Sequence, residues 1–272
     1  MSLTSFVNEK DVRERFKAEF VKPVLIRNQT LLAPPKTQNS RLVGTAFDYL
    51  MRFHLKKLNP QAVETTWIAE YGLEGMRRRG FRDSYEQGSL IIAQARERYA
   101  EFLSTQILTD ELVASTLLLA KLDAFYRSQK VDENLQHINE EDVQDLRNLI
   151  SLVDDNLFRT PGVIYLNPEF EYGSPLVGGA DADLIIDDLL IDVKSVKEFS
   201  LERRDFNQLV GYYILSRLDE LRLAQLQYQI KRLGIYFSRH AYLFIFNVEE
   251  VIDKQKLPAF LEWFQLRAGR SF

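Results

Sequence analysis

The residues best suited to chemistry lie in one stretch of the chain. It runs Asp183, Leu184-Ile185-Ile186, Asp187-Asp188, Leu189-Leu190-Ile191, Asp192-Val193-Lys194. Two apolar triplets around an Asp-Asp pair predict a β-hairpin with a two-residue turn. With Asp187-Asp188 as that turn, 186 faces 189, 185 faces 190, 184 faces 191 and 183 faces 192. Asp183 then sits across from Asp192, and Lys194, two residues on, shares the Asp192 face. Like charges directly opposite on a sheet are destabilising, so the pair calls for a compensating cation. Carboxylate oxygens, with the Val193 backbone carbonyl as a further donor, suit Mg²⁺ or Mn²⁺ rather than zinc or copper. A lysine beside such an ion can orient an attacking water and stabilise developing negative charge. Together these parts suit hydrolysis of a phosphodiester. The alternative without chemistry is an ion pair between Lys194 and Asp181, which the same register brings opposite each other.

The elements around the hairpin follow from periodicity. An amphipathic, charged pattern predicts a helix over 8–20, and the Asn/Pro-rich run 28–40 predicts a loop. Helical spacing returns from Arg41 to Leu58, with Leu42, Phe47, Leu50, Met51 and Leu55 as its apolar stripe, and stops before Asn59-Pro60. Residues 60–155 read as a helical insertion without strands, with helices over 87–109, 110–128 and 139–153. The character changes near Pro161. Val163 to Leu166 and Phe170 to Tyr172 read as strands and 204–232 as one or two helices. Leu233 to Phe237 and Ala241 to Phe246 read as strands, and Lys256 to Leu266 as a helix. The expected fold class is therefore α/β, with α+β character. Helices flank a central mixed sheet in 156–272, and 1–58 adds N-terminal helices to that core.

The order of motifs resembles the PD-(D/E)XK nuclease superfamily, whose signature is an Asp, a short hydrophobic stretch and Asp-X-Lys. Here that is Asp183 followed by Asp192-Val193-Lys194, with Ala182 where the family has Pro. Gln208-Leu209-Val210-Gly211-Tyr212 resembles the Gln-x-x-x-Tyr helix of the RecB-like branch. Gly44-Thr45-Ala46-Phe47-Asp48 resembles that branch's Gly-x-x-x-His helix, with Asp48 in the His position. The resemblance covers 41–58 and about 163–246 and implies a restriction-endonuclease-like core in a single nuclease domain spanning 1–272. It implies that Asp183 and Asp192 hold the metal and that Lys194 assists the attacking water. Gln208 and Tyr212, which share a helix face at i, i+4, would have supporting roles. Asp48 either replaces the His as a metal ligand or no longer binds metal. Many RecB-like relatives carry an iron–sulfur cluster on four cysteines. This chain has no cysteine, which places it with the cluster-free members.

Composition narrows the rest. The absence of cysteine also excludes disulfides, cysteine-ligated zinc and thiol catalysis. No apolar run approaches a membrane span, and the N-terminus lacks the apolar core of a signal peptide, so a cytoplasmic protein is expected. Net charge is −4, yet residues 1–60 hold eleven Lys/Arg against five Asp/Glu. Local basic surface on an acidic chain suits a nucleic-acid enzyme as well as an ordinary solvated helix. Arg203 and Arg204, beside the Gln-x-x-x-Tyr motif, and the cluster containing Arg77 and Arg78 are the candidate phosphate contacts. Glu169 and Glu171 are candidate extra acidic groups, and His54 and His240 read as structural. The activity expected from the resemblance is metal-dependent cleavage of DNA, with RNA left open as substrate. A second copy of the chain, a helicase or a recombination protein would be a partner. The competing reading is an inactive nucleic-acid-binding or scaffold subunit of the same fold.

Overall fold

The Asp187-Asp188 turn falls where the hydrophobic pattern puts it. Strand β3 (Leu184–Ile186) pairs antiparallel with β4 (Leu189–Lys194), and Leu184 faces Ile191, Ile185 faces Leu190 and Ile186 faces Leu189. Asp187 takes a left-handed φ of 53°, which Asp tolerates and a tight hairpin turn requires. Its carboxylate accepts from Thr160 Oγ1 at 2.8 Å and from Val163 N at 3.1 Å. A Cβ at Gly162 would lie 2.0 Å from Asp187 Oδ1, so a larger residue there would displace that carboxylate from its bonds. The computed structural model describes residues 2–26, 28–223 and 228–270.

Among the described residues six strands form one mixed sheet in sequence order. To β3 and β4 it adds β1 (Val63–Glu64), β2 (Ile164–Leu166), β5 (Arg232–Phe237) and β6 (Tyr242–Asn247). β1 with β2 and β4 with β5 are parallel pairs, and the other neighbours are antiparallel. Parallel β4 and β5 need a crossover, which α10 (Arg203–Leu223) supplies. The N-terminal helices are α1 (Leu3–Phe6), α2 (Lys10–Glu19) and α3 (Ser40–Leu58). Between β1 and β2 lie α4 (Ile68–Arg78), α5 (Arg82–Thr105), α6 (Asp110–Ser128), α7 (Glu140–Ser151) and α8 (Asp155–Phe158). The short α9 (Gly173–Leu176) precedes β3, and α11 (Val248–Val251) and α12 (Leu257–Gly269) follow β6. Among the described residues no helix is long and apolar enough to cross a membrane.

Strand alternation divides the core. Ile185, Leu190, Leu233 and Ile235 face a cluster containing Phe206, Leu209 and Ile214 of α10 and Phe260 and Phe264 of α12. Leu184, Ile186, Leu189 and Ile191 face the opposite way, against Val43, Phe47 and Leu50 of α3 and Leu146 and Leu149 of α7. Full burial of one such side chain contributes roughly 1.5–3 kcal/mol. A third cluster joins α3 through Tyr49 and Phe53 to α4, α5 and α6. The insertion is tied to the sheet by one buried ion pair. Arg239, 1% exposed, holds Asp145 of α7 with two hydrogen bonds, of 2.8 and 2.9 Å.

Four local expectations need correction. The 60–155 segment does contain a strand, β1, two exposed residues too short to alternate. Phe170 to Tyr172 is not a strand, because the Asp219 carboxylate accepts from the backbone of Tyr172 (3.1 Å) and Gly173 (2.7 Å) and folds the chain into α9. The helix expected over 87–109 begins earlier, at Arg82, and stops at Thr105, where Gln106 turns left-handed. The helix expected over 204–232 ends by Leu223 within the described residues. Arg232 opens β5, and 224–227 lie outside the described residues.

Candidate active site

Asp183, immediately before β3, and Asp192, near the end of β4, meet at the open end of the hairpin. Asp183 is held by the residue after Asp192: Val193 N–H donates to Asp183 Oδ2 at 2.5 Å. Lys194 turns to the same side, with its ammonium 2.7 Å from Asp192 Oδ2. Asp192 is 1% exposed, and that oxygen has no donor in hydrogen-bonding geometry among the described residues, so the contact is an ion pair. Lys194 does not pair with Asp181. Arg127 of α6 approaches Asp181 instead, at 3.5 Å.

α10 crosses this end of the hairpin and presents the Gln-x-x-x-Tyr face to it. Lys194 Nζ donates to Gln208 Oε1 at 3.1 Å, and Gln208 Nε2 donates to the Tyr212 hydroxyl at 2.9 Å. Asp205, three residues before Gln208, shares that helix face and lines the same cavity. From the other side α3 brings Asp48, whose carboxylate has no hydrogen bond or ion pair among the described residues. The cavity these elements enclose is about 970 Å³. Gly44, four residues before Asp48, opens onto it, and a Cβ there would meet nothing within 4 Å. No close contact therefore requires a glycine there.

The electrostatics follow from burial and crowding. Burial pushes the Asp192 carboxyl up to about 7, against the pull of Lys194 and with a further push from Asp183. Burial also raises Asp183, opposed by Lys194 and by the Val193 amide. Asp48 is raised well above the usual carboxylate range by burial and then by the charge of Asp183, with Arg52 opposing. Burial would lower Lys194, but Asp192 and Asp183 outweigh it and hold the ammonium charged. Tyr212 is raised well above its ordinary value by burial and by Asp181, Asp183 and Asp192, so its phenol stays protonated. Because that hydroxyl accepts from Gln208, its own proton is directed to another acceptor.

The structure thus gathers Asp48, Asp183, Asp192, Lys194, Gln208 and Tyr212 around one cavity, with Val193 in its wall. The expected phosphate contacts divide. Arg204 lines the cavity while pairing with Asp205 at 3.2 Å. Arg203 does not line it. Its guanidinium donates to Phe20 O at 3.1 Å and lies over the Phe206 ring. Arg77 and Arg78 are outside the cavity and pair with Glu74 at 2.7 and 2.8 Å. Glu169 bridges Asp181 on the strand side but does not line the cavity, and neither does Glu171. His54 pairs with Asp155 at 2.6 Å, and His240 is buried against Phe199. Sequence reasoning missed Arg41, Arg52, Arg127 and Asp205, all of which line the cavity. Arg52 was the most accessible of these, since it lies one turn beyond Asp48 on the same face of α3.

A divalent ion suits this donor set in one respect. Three carboxylates share one cavity, each raised chiefly by burial and two of them further by the charge of Asp183, and hard oxygen donors match Mg²⁺ or Mn²⁺. Among the described residues, however, no three His, Cys, Asp or Glu side chains stand grouped closely enough to hold a metal ion. The Lys194 ammonium lies against Asp192, and the Val193 amide holds Asp183. Comparisons with protein-family models, with curated proteins and with solved structures find no match for this chain.

Proposed function

We propose that this chain is a metal-dependent nuclease with a restriction-endonuclease-like core, resembling the RecB-like branch of the PD-(D/E)XK superfamily. The observation that carries the reading is the continuous chain Asp192–Lys194–Gln208–Tyr212. It joins the hairpin carboxylate to the α10 face within one cavity.

The proposed ligands are Asp183 and Asp192, with the Val193 carbonyl and Asp48 as further donors. A bound Mg²⁺ or Mn²⁺ would polarise the phosphate and offset its charge. Asp192 and Gln208 together fix the Lys194 ammonium, which orients the attacking water and faces the charge that develops on phosphorus-bound oxygen. Tyr212, protonated and already accepting from Gln208, donates to a phosphate oxygen. The substrate proposed is DNA.

The test is cleavage of labelled DNA by the purified protein in Mg²⁺ or Mn²⁺, beside Lys194→Ala. The reading expects wild-type cleavage and a loss of about 100-fold or more in the variant, the scale of one positioned proton-handling group. Equal activity of the two proteins, or no cleavage of any DNA or RNA form, overturns it. The placement of the Lys194 ammonium on Asp192 also favours a second reading, an inactive nucleic-acid-binding subunit that uses the lysine where a metal would sit. That reading expects oligonucleotide binding with no cleavage and no dependence on divalent cations.

A further inference from the structure

Arg52 lines the cavity within electrostatic reach of Asp48 and Asp183 but forms no ion pair among the described residues. Its Nε donates to the backbone carbonyl of Asp48 at 3.1 Å, and its guanidinium carbon lies 4.2 Å above the Tyr49 ring. Neither terminal nitrogen has a hydrogen bond or ion pair among the described residues, although Asp48 is one helical turn away. Arg204, by contrast, is committed to Asp205.

Tyr49 links Arg52 to a second guanidinium. The ring is fully buried, and its hydroxyl accepts from Ala69 N at 3.0 Å and donates to Asp123 Oδ2 at 3.4 Å. Asp123, 2% exposed, accepts from Arg127 Nε at 2.6 Å. Arg127 has one further contact, the 3.5 Å approach to Asp181, and its side chain is half exposed on the cavity wall. The buried Tyr49–Asp123 bridge therefore mounts one guanidinium from α3 and one from the helical insertion on the same cavity. Arg52 is one turn from Asp48, and the Asp181 beside Arg127 is two residues from Asp183 in sequence.

A guanidinium held by a ring face and by one edge keeps its remaining N–H donors in a fixed fork, which matches a phosphate and loses little freedom on binding one. Carboxylates outnumber cations around this cavity, so a polyanion needs fixed positive charge beside any metal. We infer that Arg52 and Arg127 are the backbone-phosphate contacts of the bound nucleic acid, which makes the helical insertion part of the substrate site. The inference rests on the nuclease reading and names its substrate-binding residues.

The experiment is fluorescence anisotropy of a labelled oligonucleotide, single-stranded and duplex, with Ca²⁺ replacing Mg²⁺ so that the complex can be titrated without turnover. Wild type, Arg52→Gln, Arg127→Gln, Arg52→Lys and the distant control Arg15→Gln are compared over a salt series, with circular dichroism melts to show that each is folded. Arg52→Gln and Arg127→Gln are each expected to weaken binding about 10- to 100-fold, the scale of one charge-assisted hydrogen-bonded contact. Each should also lower the salt slope by about one. Arg52→Lys is expected to keep the slope while losing part of the affinity, and Arg15→Gln to match wild type. Wild-type affinity and slope in both glutamine variants, with Lys194-dependent cleavage intact, overturn this inference and leave the nuclease reading standing. A wild type that neither binds nor cleaves overturns both.

Discussion

The Lys194 ammonium lies 2.7 Å from Asp192 Oδ2, two residues away on the same strand, and 3.1 Å from Gln208 Oε1 on a helix that enters the chain later. One local contact and one distant contact thus fix the same charge. A lysine held this way keeps Asp192 charge-balanced and at the same time faces the cavity where a phosphate would enter. Four measurements test this site and the bonds that hold it.

The first concerns pH. Asp192 is pushed up to about 7, and Asp183 and Asp48 shift in the same direction. A folded-state pKa above the unfolded one favours the protonated folded form. Its stabilisation is complete below the ordinary carboxylate range and is lost as pH rises through about 7. The melting temperature of the metal-free protein should therefore fall between about pH 4 and pH 7 and level off above. Asp192→Asn should flatten that fall. An unchanged slope in the variant would remove Asp192 as its cause.

The second concerns metal. Mn²⁺ binding followed by electron paramagnetic resonance should be weakened in Asp183→Asn and Asp192→Asn by at least the roughly 10- to 100-fold that loss of an outer-shell partner costs, if each is a direct ligand. Asp48→Asn should weaken it in the same direction if α3 supplies a ligand. Mn²⁺ affinity that is indifferent to both hairpin aspartates would place the ion elsewhere or nowhere.

The third concerns the Gln208 relay. Gln208→Leu keeps the volume but removes the acceptor for Lys194 and the donor to Tyr212. Cleavage should drop by about tenfold or more, with little change in KM if the relay acts only in the transition state. Tyr212→Phe should lose less, because Lys194 keeps its Gln208 partner. A Gln208→Leu enzyme with wild-type turnover would reduce the relay to a packing feature.

The fourth concerns the bond between insertion and sheet. Asp145→Ala strands the fully buried Arg239 and should cost about 3–5 kcal/mol in urea unfolding. The double replacement Asp145→Leu with Arg239→Met removes both charges and should recover most of that loss. A double variant no more stable than Asp145→Ala would mean that Arg239 matters for its other bonds, to Ser195 O and Ala33 O.

The sequence by itself determined the hairpin: its turn and its register, from Leu184 facing Ile191 to Ile186 facing Leu189. Those are local consequences of period-two alternation around a two-residue turn. It also determined that Gln208 and Tyr212 share a face, because i, i+4 spacing does so on any helix. It misread Phe170 to Tyr172, where alternation was present but the distant Asp219 carboxylate folds the backbone into a turn. It also misread 60–155 as free of strands, where the two residues of β1 form a strand by pairing with β2. Tertiary structure alone decided what surrounds the carboxylates. The α3–α6 packing through Tyr49 and Asp123 brings Arg52 and Arg127 to the cavity, while Arg77 and Arg78, paired with Glu74, and Arg203, bonded to Phe20 O, lie outside it. Charge runs along a chain do not encode which helix face packs inward against a segment some seventy residues away. That choice belongs to the long-range burial of Tyr49 and Asp123.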